Sequence, residues 1–442
     1  MSSQHVCTSC DHASNQWFGR CPACGAWSSA AHPAPGSDDL VIATLDRAPP
    51  TSTARLQTKI SAADLVLGGG VVPGSVVLLA GEPGIGKSTL VLQLLGGLVA
   101  GGRSCLLVTG EESLSQVALR AGRLGLPLER LRAAASTSLG ALLAATERER
   151  PEVLVVDSIQ TLHDEQREGS LGSVTQVRGC ACSLVAYAKR TATAILLVGH
   201  VTKEGAVAGP KALEHVVDAV LTLDGERSGS LRVLRATKNR FGSCEESGVL
   251  QMSGQGLRAV PDPSALLLAD RRPGVTGSIV FPRLEGARPV LVEVQALVVD
   301  SDLPHPRRVA NGVDPRRLAL LLGVLAETVG LKTGDKDVFV AAAGGLGVRE
   351  PAADLALCLG LFSAARHIPL PGDIVAFGEI GLGGETRRVP GSSRRLLEAA
   401  RHGFRRAIVP ERAEAPVAGM QLSLAHDLAS ALAVAPVARA VA

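Results

Sequence analysis

The run Val76-Val-Leu-Leu-Ala80 passes directly into Gly81-Glu-Pro-Gly-Ile-Gly-Lys-Ser-Thr89, and a helical pattern follows at Leu90–Val99. This is an apolar strand, a complete G-x-x-x-x-G-K-[ST] loop and a helix, in the order that phosphate binding needs. Backbone N–H groups of the glycine-rich turn and of the helix N-terminus cradle phosphates, so the stretch predicts a P-loop nucleotide site in an α/β domain. The alternative is a glycine turn that holds a lysine by chance.

Each position of this loop has an expected role toward ATP. We expect Lys87 to reach the β- and γ-phosphates and the Ser88 hydroxyl to ligate Mg²⁺. The residues predicted to bind the nucleotide are Gly81, Glu82, Pro83, Gly84, Ile85, Gly86, Lys87, Ser88 and Thr89, together with Asp157.

Acidic residues follow two other strand-like runs. Asp157 is predicted to be the Walker B acid that holds Mg²⁺; an acid that caps the next helix is the alternative. Glu111 and Glu112 come just after a second apolar run, where a carboxylate could orient or deprotonate the attacking water. We favour Glu111 as the catalytic residue, although either acid could instead belong to the first turn of a helix near Ser113.

Changes in composition divide the chain into four predicted regions. These are a cysteine-rich unit at 1–28, a linker rich in Pro, Ser, Thr and Ala at 29–56, an α/β ATPase domain with a parallel sheet at 57–262, and a second α/β domain at 263–442. The strands expected in the ATPase domain are Val76–Ala80, Cys105–Thr109, Val153–Val156, Ala194–Val198, Val217–Leu223 and Leu231–Ala236.

The overall composition narrows the possible functions. Apolar residues make up 46% and charged residues 20%, which is typical of a folded globular chain. Aromatic residues make up only 2%, which argues against modules that stack several bases on aromatic rings, so any nucleic-acid contact should go through phosphates. The uncharged run Leu65–Gly81 contains several glycines and Pro73 and is interpreted as strand, turn and strand. We therefore expect a soluble, cytoplasmic protein without a membrane span.

The first 24 residues contain a C-x2-C-x10-C-x2-C pattern formed by Cys7, Cys10, Cys21 and Cys24. Two such turns supply four thiolates for a tetrahedral Zn²⁺ site, and a module this short needs metal for its folding energy. Two disulfides or four unrelated thiols are the alternatives. Four protein ligands leave no open coordination position, which predicts a structural role.

Several further motifs occur along the whole chain, namely Trp17–Trp27, Thr109–Ser113, Gly199–Gly205, Leu213–Asp218 and the Lys-Asn-Arg-Phe-Gly run at Lys238–Gly242. With the cysteine unit and the P-loop, they resemble the bacterial RadA (Sms) family of DNA-repair proteins. The resemblance implies a RecA-like ATPase core behind a zinc finger and before a domain similar to the Lon protease domain. It also implies a hexameric ring that binds single-stranded or branched DNA and drives branch migration in homologous recombination, together with the RecA recombinase.

The Lys-Asn-Arg-Phe-Gly run and the Gly199–Gly205 motif each allow more than one role. In a ring, Lys238 and Arg240 could neutralise charge at a neighbour's γ-phosphate; they could also bind DNA phosphates or form a solvated face. His200 and Lys203 follow an expected strand, where a residue could sense the nucleotide state or contact DNA. A purely structural histidine is the alternative.

The C-terminal segments resemble Lon but lack its chemistry. Ala352 stands where the Ser nucleophile is expected, and Ser393 where the Lys base is expected, so no activated nucleophile remains. We therefore expect a peptidase-inactive domain, in which Arg387, Arg388, Arg394 and Arg395 form either a phosphate-binding patch or a solvated surface. A signalling ATPase or kinase and an ATP-dependent protease are the competing functions.

Overall fold

The computed structural model describes residues 5–7, 13–14, 17–27, 30–31, 54–200, 210–225, 229–410 and 417–435. These belong to two compact units, Met1–Thr53 and Ala54–Ala442. Among the described helices, none is long and apolar enough to cross a membrane.

The first unit contains a small antiparallel sheet. Strand β1 (His5–Cys7) pairs with β2 (Ala13–Ser14) on one side and with β3 (Ala30–Ala31) on the other. A tight turn brings the second cysteine pair together, because Gly25 N–H donates to the Cys21 carbonyl at 2.9 Å. Gly25 has a φ of +74°, a conformation that a residue with a Cβ rarely adopts.

In the described part of the second unit, a nine-stranded sheet carries the P-loop. Its strands are β4 (Val76–Gly81), β5 (Cys105–Thr109), β6 (Arg132–Ala135), β7 (Val153–Asp157), β8 (Ala194–His200), β9 (Ala219–Asp224), β10 (Leu231–Asn239), β11 (Ser247–Ser253) and β12 (Gly256–Ala259). They lie in the order β12-β11-β10-β9-β4-β8-β7-β5-β6. The strands from β9 to β6 are parallel, and β10 to β12 extend the sheet in antiparallel pairs.

Helices cover both faces of this sheet, which is why its central strands are apolar throughout. Val77 and Leu79 pack toward one helical layer, whereas Val76 and Leu78 pack toward the other. The first layer contains α1 (Ser61–Val66), α2 (Lys87–Ala100) and α3 (Leu114–Arg123). The second layer contains α4 (Leu139–Glu149) and α5 (Val174–Thr191), and the short helix α6 (Pro210–Leu213) follows β8 along the chain.

The remaining described residues build a seven-stranded mixed sheet with its own helices. Its strands are β13 (Ser278–Glu285), β14 (Arg288–Asp300), β15 (Arg308–Asn311), β16 (Lys336–Ala342), β17 (Ile374–Ala376), β20 (Arg406–Pro410) and β21 (Gln421–Ala425), and β18 (Glu379–Ile380) pairs separately with β19 (Thr386–Arg387). The helices are α7 (Pro263–Leu268), α8 (Pro315–Val329), α9 (Asp354–Arg366), α10 (Ser392–Arg401) and α11 (Leu428–Val434).

The two sheets share apolar packing through β10 and β11. Leu231, Val233 and Val249 are buried in the core of the C-terminal domain, although they belong to strands of the ATPase sheet. The antiparallel extension of the first sheet therefore connects the nucleotide-binding domain with the core of the C-terminal domain.

Several details differ from the sequence prediction. Ala30 and Ala31, which the sequence assigned to the linker, form β3 beside β1, and strands β8 and β10 extend to His200 and Asn239. The run Leu65–Gly81 does not begin as a strand, because Leu65 and Val66 complete helix α1. Strand β9 begins at Ala219 instead of Val217, because Val217 N–H still donates to the Leu213 carbonyl of the preceding turn at 3.1 Å.

Candidate nucleotide-binding site

The P-loop joins the carboxyl end of β4 to the first turn of α2. Gly84 and Gly86 have φ values of +79° and +116°, so both positions adopt a backbone that favours glycine. Lys87 begins α2 and is buried, and its Nζ donates to the carbonyls of Gly81 at 2.8 Å and Glu82 at 3.0 Å. The ammonium is thus held inside the loop that nucleotide phosphates would enter.

Two carboxylates face this ammonium across the ends of β5 and β7. Burial lowers the pKa of Lys87, and the charges of Asp157 and Glu111 partly offset this effect. Burial raises the pKa of Asp157, while a hydrogen bond with the Ser88 hydroxyl acts in the opposite direction. The structure therefore places together the Ser and Asp side chains that were predicted to hold Mg²⁺.

Glu111 and Glu112 have different surroundings, although they are neighbours in sequence. Glu111 accepts a hydrogen bond from Ser158 Oγ at 2.6 Å, and His200 Nε2 lies 3.0 Å from the same oxygen. Glu112 instead forms an ion pair with Arg120 of α3. Only Glu111 joins the cluster around Lys87, which favours it over Glu112 as the residue that would activate water.

The hydrogen bonds around Glu111 lower the pKa of its carboxyl. Burial raises the pKa of the carboxyl, but the hydrogen bonds from Ser158 and His200 and the charge of Lys87 outweigh it, so the pKa lies below its ordinary value. Ser158 was not predicted as a site residue, although its position directly after Asp157 could have indicated it. Lys203 lies outside the described residues, so the structure describes only His200 of this pair.

Lys238 and Arg240 lie at the opposite edge of the same sheet, where the parallel strands begin, whereas the P-loop follows the carboxyl end of β4. Asn239 pairs with Ala219, and Ala219 pairs with Val77 near the start of β4. The P-loop begins after Gly81, about 13 Å further along β4 at 3.3 Å per residue. These cations therefore stand too far from their own P-loop to touch a nucleotide bound there.

The two cations at this edge differ in exposure. Lys238 Nζ donates to the carbonyls of Glu214 at 2.5 Å and Val217 at 2.7 Å, and burial lowers its pKa. Arg240 is half exposed, and its Nη1 lies 3.2 Å from Asp218 Oδ1. Of the two, Arg240 is the side chain that a second molecule can reach.

The N-terminal cysteines fit a zinc site where they are described. The sulfur ligands of Cys7, Cys21 and Cys24 all lie within 4.8 Å of one another, and the Cys7 and Cys24 sulfurs are 3.7 Å apart. A tetrahedron with Zn–S bonds of about 2.3 Å has an edge of about 3.8 Å. Burial raises the pKa of Cys21, but backbone hydrogen bonds outweigh it and favour the thiolate. Cys10 lies outside the described residues.

The two Lon-like segments of the C-terminal domain meet through a buried ion pair. Arg395 is 1% exposed, its Nη2 donates to Glu350 Oε2 at 2.6 Å, and its guanidinium lies 5.6 Å from the ring of Phe281 and 5.7 Å from that of Phe377. Ala352 lies two residues after Glu350 and is buried. An arginine cannot serve as a neutral base in a protein, so this arrangement does not replace the missing lysine.

The prediction of a surface patch that includes Arg395 is wrong. Arg387, Arg388 and Arg394 are exposed, but Arg395 points into the core. Consecutive helical residues face different directions, so Arg394 and Arg395 at the start of α10 cannot belong to one surface.

Three family models match separate parts of the chain. A rubredoxin metal-binding domain model matches residues 5–30, an AAA domain model matches residues 43–206, and a model of the ChlI subunit of Mg-chelatase matches residues 325–413. The zinc ribbon, the P-loop domain and the Lon-like C-terminal α/β domain are therefore present in the predicted order.

Curated relatives match nearly the whole chain. The DNA repair protein RadA of Pseudomonas aeruginosa is 48% identical over 96% of this chain and 97% of its own length. The DNA repair protein RadA of Escherichia coli is 46% identical over 97% of both chains, and that of Mycolicibacterium smegmatis is 41% identical over 97% of this chain and 96% of its own.

Proposed function

Because the chain belongs to the RadA family of DNA repair proteins, we propose that its ATPase drives branch migration of recombination intermediates. The proposed motor is a hexameric ring on single-stranded or branched DNA that works with the RecA recombinase. The observation that carries the proposal is the division of charged groups between two edges of one sheet. Lys87, Asp157 and Glu111 lie at the P-loop edge, whereas Arg240 lies at the other edge, out of reach of its own nucleotide.

The residues at the P-loop edge divide the work of ATP hydrolysis. Lys87 and the loop N–H groups bind the phosphates, and Ser88 and Asp157 would hold Mg²⁺, which neutralises phosphate charge when bound. Glu111 accepts the proton of the attacking water on its carboxylate, whose charged form is favoured by the hydrogen bonds from Ser158 and His200 and by the charge of Lys87. Ser158 and His200 orient that carboxylate through their hydrogen bonds.

Arg240 supplies the connection between neighbouring subunits. A cation beside a γ-phosphate neutralises charge that develops in the transition state, and in a ring this cation comes from the next subunit. Arg240 is half exposed and is tied to Asp218 only at 3.2 Å, so it can exchange that partner for a phosphate. Lys238 instead donates to two backbone carbonyls and would position the Lys-Asn-Arg-Phe-Gly run.

A subunit-mixing experiment tests the shared site. We expect Arg240→Ala to lose most ATP turnover while it still binds ATP, and Lys87→Ala to lose turnover as well. Mixing the two variants should restore part of the activity, because some junctions then combine an intact P-loop with an intact neighbouring arginine. Arg190→Ala is the matched control, since Arg190 is also exposed and paired with one acid, Glu147, but lies on α5.

Turnover with and without single-stranded DNA separates a DNA motor from a signalling ATPase. The motor requires turnover to rise when a single-stranded oligodeoxynucleotide is added. If Arg240 binds DNA phosphates instead of a neighbour's nucleotide, Arg240→Ala keeps its DNA-free rate. Its DNA affinity then falls, with a salt dependence reduced by about one phosphate contact. Unchanged turnover with DNA, together with no rescue on mixing, would contradict the proposal.

The partnership with RecA needs its own measurement. Co-sedimentation of the protein with RecA filaments on single-stranded DNA should exceed its co-sedimentation with the same DNA alone. Equal amounts in the two pellets would contradict the partnership with RecA. The proposed ATPase activity and DNA binding would not be affected by that result.

A further inference from the structure

One strand of the ATPase domain touches the P-loop on one face and the C-terminal domain on the other. Arg232 lies in β10 and is 5% exposed, and its Nε donates to the carbonyl of Ile85 at 3.1 Å. Its Nη1 donates to the carbonyls of Gly229 and Leu231 at 2.8 Å each. A single buried guanidinium therefore joins the P-loop to the beginning of β10.

The bond to Ile85 has a direct consequence for phosphate binding. The Ile85 carbonyl and the Gly86 N–H belong to one planar trans peptide, in which they point in opposite directions. If Arg232 fixes the carbonyl on one side of this plane, it also fixes the N–H on the other. N–H groups of a P-loop are the donors that cradle phosphate oxygens, so the orientation of this peptide bears on nucleotide affinity.

The other face of β10 is buried in a different domain. Leu231 and Val233, which flank Arg232, lie in the hydrophobic core of the C-terminal domain. Alternate residues of a strand point to opposite faces, so β10 cannot shift or rotate on one side without moving Arg232 on the other. The packing of the C-terminal domain thus reaches the P-loop along this strand, beside a cavity that Ile85 and Arg349 of the two domains line together.

We propose that Arg232 is a positioning residue for the P-loop, through which the C-terminal domain controls nucleotide affinity. This inference rests on ATP binding at the P-loop, and it does not depend on DNA, on RecA or on a ring. It gives the C-terminal domain a role in the ATPase cycle that needs no peptidase chemistry.

Nucleotide binding by the full chain without DNA tests the positioning role. With a fluorescent ATP analogue, we expect Arg232→Met to bind about tenfold more weakly, as loss of a hydrogen bond from a charged donor implies. The factor by which the KM for ATP rises should exceed the factor by which kcat falls, because the variant keeps Glu111, the residue that activates water. A merely structural role would lower the active fraction and kcat but leave KM and Kd unchanged, which would overturn the proposal.

The same sheet offers a matched control. Arg258 of β12 is exposed and donates to Gln255 of the same hairpin. Arg258→Met removes a guanidinium from this sheet and should keep the Kd for the analogue within twofold. An equal loss of affinity in both variants would show a general effect of charge on the sheet and overturn the specific role of Arg232.

If Arg232→Met does not fold, the affinity of Arg232→Lys for the analogue tests the proposal instead. One ammonium cannot span both Ile85 and the carbonyls at the start of β10, so we expect binding at least threefold weaker than in the natural chain. Natural affinity in this variant would overturn the proposal.

A double-mutant cycle tests control by the C-terminal domain. Val233→Ala removes packing from the C-terminal core, and we expect it to weaken analogue binding about threefold in the natural chain. In the Arg232→Met background the same change should add nothing, because the connection is already broken. Equal effects in both backgrounds, or no effect in either, would overturn the coupling between the domains.

Discussion

Charged residues lie both at the P-loop edge of the first sheet and in the core of the C-terminal domain, but their surroundings differ. At the P-loop edge, Glu111 is partly exposed, and the buried Lys87 donates to two carbonyls of the loop. In the C-terminal core, Arg395 is closed off by Glu350, by backbone carbonyls and by two phenylalanine rings.

A second ion pair in the C-terminal domain also has one buried member, Asp354, which is 1% exposed. Arg317 of α8 binds both carboxylate oxygens of Asp354, which also accepts from Ile380 N–H at 3.1 Å. Burial raises the pKa of Asp354, and the bonds from Arg317 and Ile380 only partly offset it. The comparison shows that the reactive carboxylate Glu111 keeps an exposed side toward a ligand, whereas each pair that holds the C-terminal fold has one fully buried charge, Arg395 or Asp354.

The largest expected effect is at Glu111. Glu111→Gln should reduce ATP turnover by about 10²–10⁴-fold, the range for loss of a general base, while ATP still binds. Steady-state phosphate release and analogue binding measure the two quantities. Glu112→Gln is the matched control and should keep most turnover, because Glu112 is engaged by Arg120. Equal losses in the two variants would contradict the assignment.

The next largest effect concerns the buried pair of the C-terminal domain. Arg395→Met leaves Glu350 without its main partner and should lower the free energy of unfolding by about 3–5 kcal/mol. Arg394→Ala, one residue earlier but exposed, should change it by less than about 0.5 kcal/mol. Urea unfolding followed by circular dichroism compares them. Similar midpoints for both variants would mean that Arg395 is not closed off as described.

Acid should weaken the C-terminal domain through Asp337. Hydrogen bonds from the backbone and side chain of Arg307 lower the pKa of Asp337 to about 2, from an ordinary 3.8. Because the folded-state pKa is the lower one, the unfolded chain takes up the proton first as the pH falls. The stabilisation is therefore complete above about pH 4 and is lost toward pH 2. Unfolding midpoints measured between pH 5 and pH 2.5 should fall less in Asp337→Asn than in the natural chain.

The last comparison is expected to show no gain of peptidase activity. Ala352→Ser combined with Ser393→Lys restores two residue types of a Lon peptidase, but Arg395 and Glu350 remain closed on each other beside them. We expect neither this variant nor the natural chain to cleave an unfolded substrate such as casein in the presence of ATP. Cleavage by the variant that the natural chain lacks would show that the segment still forms a peptidase site.

The sequence predicted the P-loop, the acids and six strands of the nine-stranded sheet because each depends on local order. An apolar strand, a glycine-rich turn and a helix in succession can form one phosphate cradle. The acids could be placed at strand ends because β5 ends at Thr109, just before Glu111, and β7 ends at Asp157. The choice of Glu111 over Glu112 was possible only as a preference. The structure distinguishes them through Ser158, His200 and Arg120, which come from other elements.

By itself, the sequence determined the fold class, the order of the three domains and the residue types at the nucleotide edge, since these depend on local patterns and motif spacing. Only the tertiary structure decided that Arg395 is buried while Arg394 is exposed, and that Arg240 stands at the edge away from its own P-loop. It also decided that Arg232 joins the P-loop to a strand packed in the C-terminal core. The physical reason is that the burial and partners of a charge depend on distant segments: Arg232 and Ile85 are 147 positions apart in sequence and 3.1 Å apart in the fold.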